Sequence, residues 1–138
     1  MRKRTLAREY AMQILYEIDI THIEPGLALE NFWQMAAVKE TEEEIKVFTS
    51  ELVKGVGDNL SAIDAKISLY ATNWQLERMA VVDRNVMRLA SFELMFRDDI
   101  PPKVSINEAV DLAKRYSDQE SGKFVNAILD KIKQEIGR

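Results

Sequence analysis

The sequence predicts an all-α fold of six or seven helices, on three observations. Apolar residues recur at the three- and four-residue spacing of a helix face along most of the chain. Three capping-box patterns, each a Ser or Thr followed three residues later by Glu, mark helix starts. No segment shows the strict alternation of a half-buried strand.

The elements follow in order. Leu6, Ala7, Tyr10, Ala11, Ile14, Leu15 and Ile18 form one face of a first helix. Pro25-Gly26 breaks that pattern, and Leu27 to Val38 carries a second, shorter helix. Thr41 with Glu44 opens a third, whose apolar face holds Ile45, Phe48, Leu52 and Val53. Gly55 and Gly57 can bend or end it, while Leu60, Ile63, Ile67 and Tyr70 continue the periodicity. Asn73 caps a short turn from Trp74 to Met79. Val82 to Phe96 is apolar around most of its circumference, which places this helix in the middle of the protein. Its polar edge is Arg84 and Arg88, with Asp83 on the surface at its start. Glu93 falls on its apolar side, where a buried carboxylate needs partners and capping a neighbouring helix is the expected role. After the loop Asp98 to Pro102, Ser105 with Glu108 and Ser117 with Glu120 open helices reaching about Tyr116 and Ile136.

Composition narrows the function classes. A chain of 138 residues suits one compact domain, and 46% hydrophobic content is too apolar for disorder. No apolar run approaches the roughly 20 residues that cross a bilayer, and the basic start lacks the features of a signal peptide. With no cysteine, disulfides and thiolate metal sites are excluded, in keeping with a cytoplasmic location. His22 stands alone beside a turn and is expected to be solvated. Glu40, Glu42, Glu43 and Glu44 sit where a helix dipole favours acids. Neither a Walker loop nor a GxGxxG is present. No enzyme, metal or cofactor is expected.

The charge is uneven. Arg2, Lys3, Arg4 and Arg8 crowd one end, and the remaining 15 basic residues face 23 acidic ones, a formal balance of −8. Any nucleic-acid contact must therefore be a local patch. By helical phase, Thr5, Arg8, Glu9, Met12 and Tyr16 lie opposite the stripe of Ala7, Ile14 and Ile18. An exposed Arg8 can neutralise a phosphate while the Tyr16 ring offers a stacking face to an unpaired base.

Longer motifs carry a resemblance. Arg8-Glu9-x-Ala11-x-Gln13-x-Leu15-Tyr16, Met87-Arg88-Leu89-Ala90-Ser91-Phe92-Glu93-Leu94, Lys103 to Ala109, and Ser121-Gly122-Lys123-Phe124-Val125-Asn126 together resemble the NusB family of transcription antitermination factors. Residues 20 to 80 match it mainly by helical pattern. The resemblance implies two packed three-helix bundles in a single domain, about residues 1–72 and 73–138. It implies action with NusE, a small-subunit ribosomal protein, on single-stranded boxA RNA within RNA polymerase antitermination complexes, notably on ribosomal RNA operons. By motif position it carries an RNA-binding role onto Arg4, Arg8, Tyr16, Glu120, Lys123 and Phe124, with Arg2 and Lys3 in the same basic end. It places Asp83 against NusE, with Arg84 and Arg88 beside it as further partner contacts. Thr5 and Leu6 interrupt the arginine cluster, so weak RNA contact completed by a basic partner is expected. Two other functions suit the same helices. One is the accessory domain of ribosomal RNA methyltransferases, which would need a cofactor domain after residue 138; the other is a helical protein–protein adaptor.

Overall fold

A computed structural model describes all 138 residues and contains seven α-helices and no strand. They are α1 (Lys3–Thr21), α2 (Pro25–Gln34), α3 (Glu43–Asp58), α4 (Leu60–Tyr70), α5 (Val81–Phe96), α6 (Pro102–Tyr116) and α7 (Gln119–Ile136), with a 3-10 turn at Leu76–Arg78. α5 occupies the centre, packing against α1, α3, α4, α6 and α7. Its Val86, Met87, Leu89, Ala90 and Leu94 join one continuous apolar core that draws on every α-helix. The expectation from its nearly all-apolar circumference therefore holds.

Local signals and structure part at the helix ends. Pro25 opens α2 instead of only breaking α1, because proline fits the first helical position and the Glu24 carboxylate accepts from Gly26 N at 2.9 Å and Leu27 N at 3.0 Å. α1 closes through His22, exposed and left-handed at φ 60°. None of the three capping boxes forms. Thr41 Oγ1 donates to the Val38 carbonyl and Glu42 is the residue that precedes α3. Ser105 lies inside α6, which Pro102 opens. α7 is capped by Asp118, whose carboxylate accepts from Ser121 N at 2.8 Å. In each case a different nearby oxygen, or a tertiary partner, captured the group the box would use.

α3 runs through both glycines and yields to α4 only at Asn59, whose amide donates to the Gly55 carbonyl at 2.8 Å. Gly55 is there for packing: a Cβ at this position would fall 2.2 Å from Phe92 Cζ, so α3 and α5 could not approach as they do. Phe92 in turn stacks on Phe96 at a centroid distance of 5.8 Å. Gly55→Ala is expected to lower stability by about 1–3 kcal/mol through overpacking, despite alanine's better helix propensity. A lowered denaturant midpoint at unchanged m-value checks this; an unchanged midpoint contradicts the close contact.

Candidate nucleic-acid interface

The structure sorts the basic residues of the first helix into two groups. Arg8 is 3% exposed and is not on a free flank. Its Nε and Nη2 donate to the two carboxylate oxygens of Glu93 at 2.8 and 2.9 Å, and Ser105 Oγ donates to the same carboxylate at 2.7 Å. Glu108 lies 3.5 Å from Nη1 and accepts from Thr5 Oγ1 at 2.6 Å. Two expectations are corrected together. Arg8 is unavailable to phosphate, and Glu93 binds side chains instead of capping a helix. Met12, assigned to the same open flank, is buried as well. Helical phase gave their angle correctly, but α5 and α6 cover that side of α1.

Arg2, Lys3 and Arg4 remain exposed. Lys3 Nζ sits 3.1 Å from Glu42 and 3.0 Å from Glu44, and the Arg4 guanidinium lies 4.3 Å above the Phe48 ring. Tyr16, further along α1, keeps 41% of its surface in solvent, as its phase suggested.

Arg84 and Arg88 are also corrected. Their side chains, 11% exposed, form an internal network in which Asp19 accepts from Arg84 Nε at 2.8 Å, Arg88 Nη1 at 3.1 Å and Asn85 Nδ2 at 2.9 Å. Arg88 reaches on to both oxygens of Asp64, at 2.8 and 2.9 Å. Burial would raise the Asp19 carboxyl, but the Arg84 and Asn85 hydrogen bonds with the Arg88 charge outweigh it and hold it below the usual value. The polar edge of α5 thus ties α1 and α4 to it.

Asp83 is 7% exposed, so it is not the surface group that its place at a helix start implied. One carboxylate oxygen accepts from Ser121 Oγ at 3.1 Å; the other, Oδ1, has no partner. Burial, aided by the neighbouring Asp118, raises its carboxyl above the ordinary aspartate range. Asp83 borders a cleft of about 410 Å³ whose other walls include Trp74, Met79, Glu120, Ser121 and Phe124. Half-buried Phe124 meets Trp74 edge to face at 6.1 Å, while Trp74 is 56% exposed. Exposed Glu120 and Lys123 pair loosely at 3.4 Å. The structure therefore brings Asp83, Glu120 and Phe124 together around one opening and adds Trp74. That tryptophan was legible only as an aromatic in a polar turn.

Seven helices around one apolar core, with a basic end, an exposed tyrosine and an aromatic cleft edged by carboxylates, define a class of small all-α proteins. The chain belongs to the NusB family, whose profile residues 5–134 match. It is 48% identical over 130 residues to the transcription antitermination protein NusB of Anaeromyxobacter dehalogenans (strain 2CP-1 / ATCC BAA-258), covering 94% of this chain and 89% of that one. Its identity to the NusB of Bacillus licheniformis is 42% over 134 residues, covering 97% and 98%. Among solved structures, NusB from T. maritima superposes with a TM-score of 0.87 at 39% identity, covering 96% of this chain and 91% of that one. A NusB solved with NusE and double-stranded RNA superposes at 0.88 with 29% identity, covering 98% of each chain.

Two stability predictions follow from this chemistry. Arg8→Ala strips the buried Glu93 carboxyl of its guanidinium partner, which is expected to lower stability by about 3–5 kcal/mol; a loss under 1 kcal/mol would mean that water reaches the site. For Asp83 the folded carboxyl titrates higher than the unfolded one, so the wild type loses stability as pH rises through the folded value. Asp83→Asn removes that loss. Its melting temperature is expected to exceed wild type at pH 7, and the advantage to vanish below the unfolded value of about 3.8. A pH-independent difference would refute burial as the cause.

Proposed function

We propose that this chain is a transcription antitermination factor that binds RNA together with NusE, on single-stranded boxA-type RNA and notably in ribosomal RNA operons. The observation that carries it is the near-complete superposition on a NusB solved with NusE and RNA, joined to 42–48% identity with curated antitermination proteins. Cytoplasmic action within an RNA polymerase complex follows from that role. No helix of this chain is long and apolar enough to cross a membrane.

The chemistry of the exposed groups supports this assignment. A single-stranded target leaves bases unstacked, and Tyr16, Trp74 and Phe124 offer ring faces or edges to them. Asp83 Oδ1 is an acceptor in want of a donor, which a base amino group or a cationic partner side chain would satisfy. Exposed Arg2, Lys3, Arg4 and Lys123 are the cations this assignment gives to phosphate, few enough that a basic partner would be needed for strong binding. Asp83 is a partner contact in this scheme only through the cleft it borders.

Tyr16→Ala is expected to weaken binding of a short boxA-type RNA by about 1–3 kcal/mol in the presence of NusE, while Tyr16→Phe keeps most of the affinity. The slope of log affinity against log salt stays unchanged, since no phosphate contact is lost. With its ring 41% exposed, the melting temperature should hardly move. Unaltered RNA affinity in Tyr16→Ala, or equal binding of duplex and single-stranded RNA, would count against this assignment. An adaptor without RNA affinity would bind neither.

A further inference from the structure

Two of the exposed cations of the basic end, Lys3 and Arg4, are already engaged within the chain. Lys3 Nζ bridges Glu42 and Glu44, which flank the first residue of α3, at 3.1 and 3.0 Å. Hydrogen bonds that the Lys3 ammonium donates to Glu44 and then to Glu42 hold it above its ordinary value, so it stays charged. Arg4 is drawn to the same helix, its guanidinium lying on Phe48. Lys3, Arg4, Glu44, Phe48 and Glu51 together line an open cleft of about 330 Å³.

We propose that the acidic start of α3 is an intramolecular competitor for RNA, an autoinhibitory contact in which Glu42 and Glu44 occupy Lys3 where a phosphate would bind. The proposal rests on the RNA-binding role above and concerns its regulation. An ammonium is a point charge that treats carboxylate and phosphate oxygens alike, so RNA must displace the two glutamates and then lie beside their freed charges. All three side chains are more than half exposed, with relative exposures of 53%, 62% and 71%. Pairs of this kind are weak and exchange readily. The contact therefore tunes affinity and does not block it.

The test is an anisotropy titration of a short single-stranded boxA-type RNA, at low salt and with NusE present. It compares wild type, Glu42→Gln/Glu44→Gln, Lys3→Ala and the combination of the three. Glu43→Gln, on the same turn but without a contact to Lys3, calibrates the plain effect of removing one negative charge. With Lys3 present the double glutamine variant is expected to bind about 1.5- to 5-fold tighter. In the Lys3→Ala background the gain in log affinity should shrink to twice the single-charge effect set by Glu43→Gln, because two charges are removed. Equal gains in both backgrounds, or no gain in either, overturn the competitor. Absence of any contribution of the wild type to RNA binding in this low-salt titration overturns the RNA role itself, a result distinct from equal gains.

Discussion

The buried pair between Arg8 and Glu93 is the constraint around which the other helices are arranged. Two ions almost wholly out of water are tolerable only when every strong donor and acceptor is met, and here both carboxylate oxygens and three guanidinium nitrogens have partners. Such a pair adds little over well-packed apolar groups, yet breaking it strands a charge. Its geometry admits one rotation and one height of α1 against α5, and Ser105 with Glu108 adds α6 to the same register. A charged residue in a basic stretch thus serves the core, and α1 contributes to both the interior and the surface.

Toward its other end α1 meets α5 through a second polar device. Asp19 takes Arg84, Asn85 and Arg88 together, and Arg88 extends the link to Asp64 on α4. The two devices hold α1 along the length of α5. Each draws arginines away from solvent, Arg8 in the first and Arg84 and Arg88 in the second, which leaves Arg2, Lys3 and Arg4 as the exposed cations of the basic end. In the proposed RNA-binding role a basic partner would supply most of the phosphate contacts, while exposed rings would add affinity by stacking on bases.

The cleft edged by Asp83, Trp74 and Phe124 shows the opposite economy. Burial beside Ser121 desolvates Asp83 and leaves Oδ1 unmet, a cost that a donor from a bound partner would relieve. The aromatic pair is likewise half open, with Trp74 touching the fold by one edge. Asn85, Arg88 and Glu93 find partners along α5, whereas Asp83 at its start keeps one carboxylate oxygen unpaired beside the cleft.

The sequence by itself determined the all-α class, the central place of α5, the exposure of Tyr16 and, through the motifs at both ends, the family. These are properties of period and of residue type, which survive without knowledge of neighbours. Only the tertiary structure decided which arginines are free. Arg8 and Tyr16 project from the same broad side of α1, but α6 and α5 cover the first and leave the second in solvent. Phase fixes an angle about one helix axis and cannot say which neighbour lies across it. The caps failed for a related reason: Ser105 matched a local motif, yet its hydroxyl found Glu93, twelve residues away in sequence, at 2.7 Å. Where a polar side chain has both a local and a distant partner, packing makes the choice.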